Sequence, residues 1–230
     1  MSIVKKHQSE ITHITQHGDG VYTLEMKSKD RVFKFSPGQF LHIALDEDYD
    51  GSGQWPESRC FSMQSNPDDE TIRITYAVKG AFTQQMEKTL HIGSIVWLKM
   101  PYGDLFDQEH VKNGTVFIAG GTGITPYLSL VTHEGFAVYE KPVLYLGLRN
   151  AAYHFYKEEL IRAQEINPTL IIHIVNQDTE GMLNIERILN ENAVDTSYFI
   201  SGPPIMIKNF KAFLISRGVS ERNVLTDDWE

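Results

Sequence analysis

Residues 117–126 read Phe117-Ile118-Ala119-Gly120-Gly121-Thr122-Gly123-Ile124-Thr125-Pro126, and they decide the architecture of the second half of the chain. An apolar run over 115–119 stops at a cluster of glycines, and a helical pattern begins at Pro126. Thr125 is expected as the helix N-cap and Pro126 as the first helical residue. Glycine tolerates positive φ and lets a ligand approach the main chain, while free N–H groups at a helix start favour negative charge. The turn therefore has the chemistry of a dinucleotide site. The match to a Gly-x-Gly-x-x-Gly pattern is incomplete, because Gly121-x-Gly123 is followed by Pro126 where a third glycine would stand.

Outward from this turn, apolar strands are expected at 115–119, 143–147, 170–175, 198–200 and 223–225. They alternate with helical stretches at 126–132, 153–163, 185–190 and 205–216. Alternation of this kind, with strands apolar on both faces, predicts a five-stranded parallel sheet covered by helices. Ligands in such sheets sit at the carboxyl ends of strands. Both Gly121-Thr122-Gly123-Ile124-Thr125 and Ser201-Gly202-Pro203-Pro204 fall there.

The period differs upstream. From Ile11 to Val96, short apolar-polar alternations are broken by turns such as Ser36-Pro37-Gly38 and Ser65-Asn66-Pro67-Asp68, which predicts an antiparallel barrel. One helix is expected near 82–89. The fold class is thus all-β followed by α/β, with domains at 1–103 and 104–230. The polar loop Asp46 to Glu57 reads as a solvated connection. In the expected strand 59–63, parity puts Arg59 and Phe61 on one face and Cys60 and Ser62 on the other. Cys60 reads as a small packed residue, since no histidine partner is implied nearby.

Composition narrows the function. The 230 residues carry a formal net charge of −9 and no long basic block, which argues against nucleic acid as a partner. No apolar run approaches the roughly 20 residues of a membrane span and no leader pattern opens the chain, so a cytoplasmic protein is expected. One cysteine excludes an internal disulfide and an iron–sulfur cluster held by this chain alone. The histidines lack metal-site spacing, and no Ser-His-Asp order stands out.

Four ordered segments, over residues from about 10 to the C-terminus, resemble markers of the ferredoxin–NADP reductase superfamily. Arg59-Cys60-Phe61-Ser62 is similar to its Arg-x-Tyr-Ser flavin motif, and Val78-Lys79-Gly80-Ala81-Phe82-Thr83, with Ala77 before it, to its flavin-phosphate segment. Gly120-Gly121-Thr122-Gly123-Ile124-Thr125-Pro126 is similar to its nicotinamide turn, and Ser201-Gly202-Pro203-Pro204 to its Cys-Gly-Pro motif. The resemblance implies a flavin-binding barrel followed by a nucleotide domain, holding FAD and either NADH or NADPH. It implies that Arg59 pairs with the flavin pyrophosphate, that Phe61 packs on the isoalloxazine in place of tyrosine, and that Ser62 lies beside flavin N5. Ser201 stands where the family usually has cysteine, beside the carbon that gives up hydride. A pyrophosphate clasp separate from a ring site favours FAD over FMN.

For coenzyme choice, Asp178 leans toward NADH, since a carboxylate repels a 2′-phosphate and accepts from ribose hydroxyls. Arg149 resembles a phosphate-holding position of NADPH-using relatives. Trp229 stands near the terminal aromatic that covers the flavin in many relatives. The implied activity is hydride transfer from nicotinamide to flavin, then electron transfer to an acceptor such as a ferredoxin, a flavodoxin or an oxygenase component. An accessory electron-transfer subunit or redox-sensing flavoprotein is the alternative that Ser201 and Phe61 keep open.

Overall fold

The computed structural model describes residues 3–18 and 20–227, and the chain divides into two compact units, 1–104 and 105–230. In the first, six strands form one antiparallel sheet in the order β4-β3-β6-β1-β2-β5. They are β1 (Lys5–Gln16), β2 (Val21–Ser28), β3 (Phe40–Ala44), β4 (Ser58–Ser62), β5 (Ile72–Ala77) and β6 (Ile95–Tyr102). The two outermost strands approach one another where Gln64 N–H donates to the Arg73 carbonyl at 2.8 Å. The sheet thus curls into a nearly closed barrel.

Period-2 patterning places Leu24 and Met26, Leu41 and Ile43, Ile72 and Ile74, and Leu98 and Met100 inside. Helix α1 (Ala81–Thr89) adds Phe82 and Met86 to that core. The connection 46–57 is more than solvated chain. Trp97 Nε1 donates to the Tyr49 carbonyl at 2.7 Å, Lys6 Nζ donates to the Gly51 carbonyl at 3.0 Å, and Lys6 also reaches the Tyr49 hydroxyl. Gly51, at φ 90°, lies so close that a Cβ there would stand 2.6 Å from the Trp97 ring.

The second unit is a five-stranded parallel sheet in the order β11-β10-β7-β8-β9. Its strands are β7 (Val116–Gly120), β8 (Val143–Leu148), β9 (Ile171–Asn176), β10 (Tyr198–Ser201) and β11 (Val224–Thr226). Successive residues of β7 serve opposite cores. Phe117 and Ala119 pack with α2 (Thr125–Val131) and α3 (Lys157–Ile166). Val116 and Ile118 pack with α5 (Ile185–Glu191) and α6 (Pro204–Ser216). Burial on both faces is why β7, β8 and β10 read as apolar runs, whereas the edge strand β9 is only partly buried. A further short helix, α4 (Gln177–Glu180), follows β9.

Two local expectations are corrected. The helix expected over 153–163 begins only at Lys157, because Tyr153, Phe155 and Tyr156 pack onto the core and Asn150 caps a separate short turn at Ala152 N–H, 3.0 Å away. Thr125 is not an N-cap. A 3₁₀ turn over Gly121–Ile124 runs straight into α2. Thr125 is therefore already helical, and its hydroxyl donates to the Thr122 carbonyl at 2.9 Å.

Candidate functional site

In the second unit, the two loops at the carboxyl ends of β7 and β10 are brought together by parallel pairing of Ile118 with Ile200 and of Ala119 with Ser201. They meet backbone to backbone. A Cβ on Gly123 would lie 2.6 Å from Gly202 Cα, Gly202 N and the Ser201 carbonyl oxygen, and one on Gly120 would lie 2.9 Å from Pro203 Cδ. These glycines serve loop-to-loop packing. Gly121 differs, because its φ is 57° and nothing stands within 4 Å of the place its Cβ would take. It gives the turn its left-handed step and leaves the main chain open to close approach. Ile124 and Thr125 are buried beneath the turn, whereas Pro203 and Pro204 are exposed.

Ser201 is buried, and its hydroxyl donates to Asp227 Oδ2 at 3.0 Å. Asp227 is fixed in turn by its own N–H, which donates to the Ile200 carbonyl at 3.0 Å. Nearby, the Tyr127 hydroxyl donates to the Ile118 carbonyl at 3.2 Å. Burial, with the Asp227 charge adding to it, holds the Tyr127 phenol far above its ordinary range. Asp227 is a site residue that sequence reasoning missed. The available signal was position: it directly follows the last strand, at the sheet end where Ser201 also lies.

On the same sheet, Asp178 N–H donates to the Arg149 carbonyl at 3.2 Å. The two candidate selectivity residues thus sit side by side and exposed. The Arg149 guanidinium lies 5.4 Å from the Tyr153 ring centroid and donates to its hydroxyl at 3.3 Å. Trp229 lies outside the described residues.

In the first unit, the Arg59 guanidinium sits 5.2 Å from the Phe82 ring centroid, at the first turn of α1. A cation and a helix N-terminus therefore converge. The N–H groups of Ala81, Phe82 and Thr83 have no carbonyl within the helix to donate to. The N–H groups of Lys79 and Gly80 are taken by Thr83 Oγ1, at 2.9 and 3.1 Å, and the Thr83 hydroxyl donates to the Gly80 carbonyl at 3.1 Å. Beyond Gly80, a Cβ would meet nothing within 4 Å. Val78, just before this turn, is held by its N–H on the Gly20 carbonyl at 2.8 Å. Glu57 lies 3.0 Å from Arg59 in an exposed pair, a contact weak enough for a bound anion to displace.

Phe61 packs on the barrel core, 6.1 Å from Tyr76 in an edge-on arrangement. Strand parity holds: the pairing of β3 with β4 sets Phe61 opposite Leu41 and Cys60 opposite His42, with Ser62 opposite Phe40. That pairing corrects one expectation, because Cys60 does have a histidine neighbour, with Sγ 3.5 Å from His42 Nε2. The reason is register, which the sequence alone does not reveal. Burial raises the Cys60 thiol, and burial together with Lys99 lowers His42. Both groups are therefore neutral, and the pair is not an activated nucleophile. Among the described residues no group of three or more His, Cys, Asp or Glu side chains could hold a metal ion. No helix among them is long and apolar enough to cross a membrane.

Residues 117–212 match the model of a family described as an oxidoreductase NAD-binding domain. The chain is 23% identical to a flavohemoprotein of Rhizobium meliloti over 96% of its own length and 58% of that protein's. It is 30% identical to methane monooxygenase component C of Methylosinus trichosporium over 66% of its own length and 44% of that protein's. The chain thus spans about half the length of these relatives. Among solved structures it superposes on a ferredoxin NADP+ reductase from Neisseria gonorrhoeae, determined with FAD and NADP bound. The TM-score is 0.77 at 17% identity, over 99% of both chains. The barrel and parallel sheet are those of the two-domain ferredoxin reductase-like fold, and the sequence matches are to an oxidoreductase NAD-binding domain, a flavohemoprotein and a monooxygenase component.

Proposed function

Taking this ferredoxin reductase-like relationship as premise, we propose that the chain is a flavin-dependent NAD(P)H oxidoreductase. The barrel unit holds FAD, the α/β unit holds the nicotinamide coenzyme, and the acceptor is a ferredoxin, a flavodoxin or an oxygenase component. When bound, the flavin accepts hydride at N5 from the reduced nicotinamide and passes electrons onward.

The observation that carries this reading is the convergence of the Arg59 guanidinium on the N-terminus of α1 beside Phe82. A diphosphate fits that donor set, with charge-assisted bonds from the arginine and main-chain donors from the helix start. Thr83 acts on the loop rather than on the ligand, fixing the Lys79 and Gly80 amides so that the open side of Gly80 faces the anion. Phe61 offers an aromatic edge for the ring, and Ser62 a hydroxyl on the neighbouring residue. At the other site, Gly121 admits the coenzyme to the main chain, Gly202, Pro203 and Pro204 border it, and Asp227 orients the Ser201 hydroxyl. Asp178 favours NADH by repelling a 2′-phosphate. We place the protein in the cytoplasm.

The test is anaerobic reduction of the purified protein by NADH and by NADPH, after mass spectrometry of the released chromophore, followed by turnover on ferricyanide. A yellow protein releasing FAD and bleached faster by NADH is expected. Colourless protein that neither retains FAD nor responds to either coenzyme would end the proposal. A second reading, an accessory electron-transfer subunit or redox sensor, is favoured by the engagement of Ser201 with a buried carboxylate. It predicts a bound flavin that stays oxidised with both coenzymes.

A further inference from the structure

Strand β9 forms one edge of the parallel sheet and pairs with β8 along its whole length without a bulge. Its parity is fixed by Ile171, whose N–H donates to the Pro142 carbonyl at 3.0 Å. Main-chain groups of alternate residues point the same way, so Ile171, His173 and Val175 bond to β8 while Leu170, Ile172, Ile174 and Asn176 face outward. The two ends of that outer row are already closed. Leu170 N–H donates to the Asn167 carbonyl at 3.0 Å, its carbonyl accepts from Gln164 Nε2 at 3.3 Å, and Asn176 N–H donates to Glu180 Oε1 at 3.0 Å. What stays open is the N–H and C=O of Ile172 and of Ile174, with His173 midway between them. Exposed edges are ordinarily protected by charge, proline, a bulge or brevity. Here Thr169-Leu170-Ile171-Ile172-His173-Ile174-Val175-Asn176-Gln177 contains no Asp, Glu, Lys, Arg or Pro. The sheet's other edge, β11, is only three residues long and is followed directly by Asp227. Apolar surface flanks β9 on both faces. Ile171 is 49% exposed on one; on the other, Ile172 and Ile174 are partly buried, and Ile161 of α3, on the same side of its helix as Gln164, is 48% exposed.

We infer that β9 is the seam of a homodimer, pairing antiparallel with β9 of a second copy about a two-fold axis at His173 and joining the two parallel sheets into one. In that register Ile172 of each copy exchanges both of its main-chain bonds with Ile174 of the other, which satisfies every open group on both strands. His173 then meets His173 as the non-hydrogen-bonded pair between them. The side chains agree, since Ile171 faces Val175 and Ile172 faces Ile174, apolar against apolar. A second copy is the occupant because the open groups lie symmetrically about one residue. A two-fold partner offers the same groups at the same spacing and consumes both edges, which gives a closed dimer instead of a fibre. Antiparallel pairing also points the ligand ends of the two sheets in opposite directions. The seam does not depend on the redox activity proposed above.

The test uses the full chain as purified. Sedimentation velocity from low micromolar to several hundred micromolar protein should show the mass rising from one chain to two and stopping there. Over the same range, amide hydrogen exchange read by NMR should slow about fivefold or more at Ile172 and Ile174, while Ile171 and His173, already bonded to β8, change by less than about twofold. His173→Lys sets two ammonium groups opposite one another at the centre of the seam, so dimerisation should weaken about tenfold or more, with the circular dichroism of the fold retained. Ile174→Pro removes an open donor without removing a bond to β8 and should leave a monomer; if that variant fails to fold, His173→Lys decides alone. A single-chain mass at every concentration, association that continues beyond two chains, exchange that slows equally at all four amides or at none, or a dimer as tight in His173→Lys as in the wild type would each overturn the seam.

Discussion

Two glycines of one short turn show how the same amino acid answers different physical demands. Gly123 is a packing glycine, since the atoms that a Cβ would strike at 2.6 Å belong to the Gly202 and Ser201 backbone and cannot swing aside. Gly123→Ala should lower unfolding stability by about 1–3 kcal/mol or more, read from urea denaturation. Gly121 is a conformational glycine at φ 57° with open space beside it. Gly121→Ala should cost only about 1 kcal/mol in stability yet weaken coenzyme binding, measured by titration of the flavin-loaded protein. Equal stability losses for the two would contradict the distinction. Cys60 poses a related question, because a thiol 3.5 Å from an imidazole invites a nucleophile reading. Burial opposes ionisation of both groups, so iodoacetamide should modify Cys60 at neutral pH about tenfold more slowly than an unhindered cysteine. Fast alkylation that disappears in His42→Ala would show that the pair is ionised after all.

Strands and helices turn such residues into sites by deciding which neighbours they meet. β4 delivers Arg59 to the first turn of α1, and neither element alone binds an anion well. Arg59→Ala should therefore weaken FAD retention about tenfold, near 1.4 kcal/mol, as judged by flavin content after gel filtration. Unchanged occupancy would refute the placement of the diphosphate. At the end of β9, α4 holds Asp178 against the Arg149 carbonyl, so Asp178→Arg brings a second guanidinium beside the first. The ratio of kcat/KM for NADPH over NADH should rise about tenfold, and an unmoved ratio would locate selectivity elsewhere. Much of this was legible from the chain itself. Period-2 alternation announced the barrel strands, and apolar runs bounded by Gly120 and Ser201 announced the parallel sheet with its ligand end. What escaped was whatever depends on register. His42 faces Cys60, and Asp227 reaches Ser201, only once strands far apart in sequence are paired, and no local pattern encodes that pairing. The delayed start of α3 escaped for another reason, because tertiary burial of Tyr156 outweighs helical periodicity in its neighbourhood.

For the molecule as a whole, the strong acidic balance suggests that acid should relieve repulsion and stabilise the fold, yet one buried group works in the opposite direction. His7 on β1 is 4% exposed, lies 5.2 Å from the Phe33 ring, and has Ser28 Oγ 3.5 Å from its Nδ1. Burial first, then the charges of Arg31 and Lys5, lower its pKa to about 4, against the smaller opposing effect of Asp30. The folded state thus prefers the neutral imidazole. Its contribution to stability is whole above the unfolded-state value of 6.5 and is lost as pH falls from there toward about 4. Allowing for solvent screening of the neighbouring charges, the loss is no more than about 2 kcal/mol. His7→Gln keeps a polar side chain of similar size but cannot gain a proton, so the variant's stability should decline less than the wild type's between neutral pH and the low end of that window. Urea unfolding of both proteins across the range reads the difference directly, and parallel pH profiles would mean that His7 titrates normally in the folded chain.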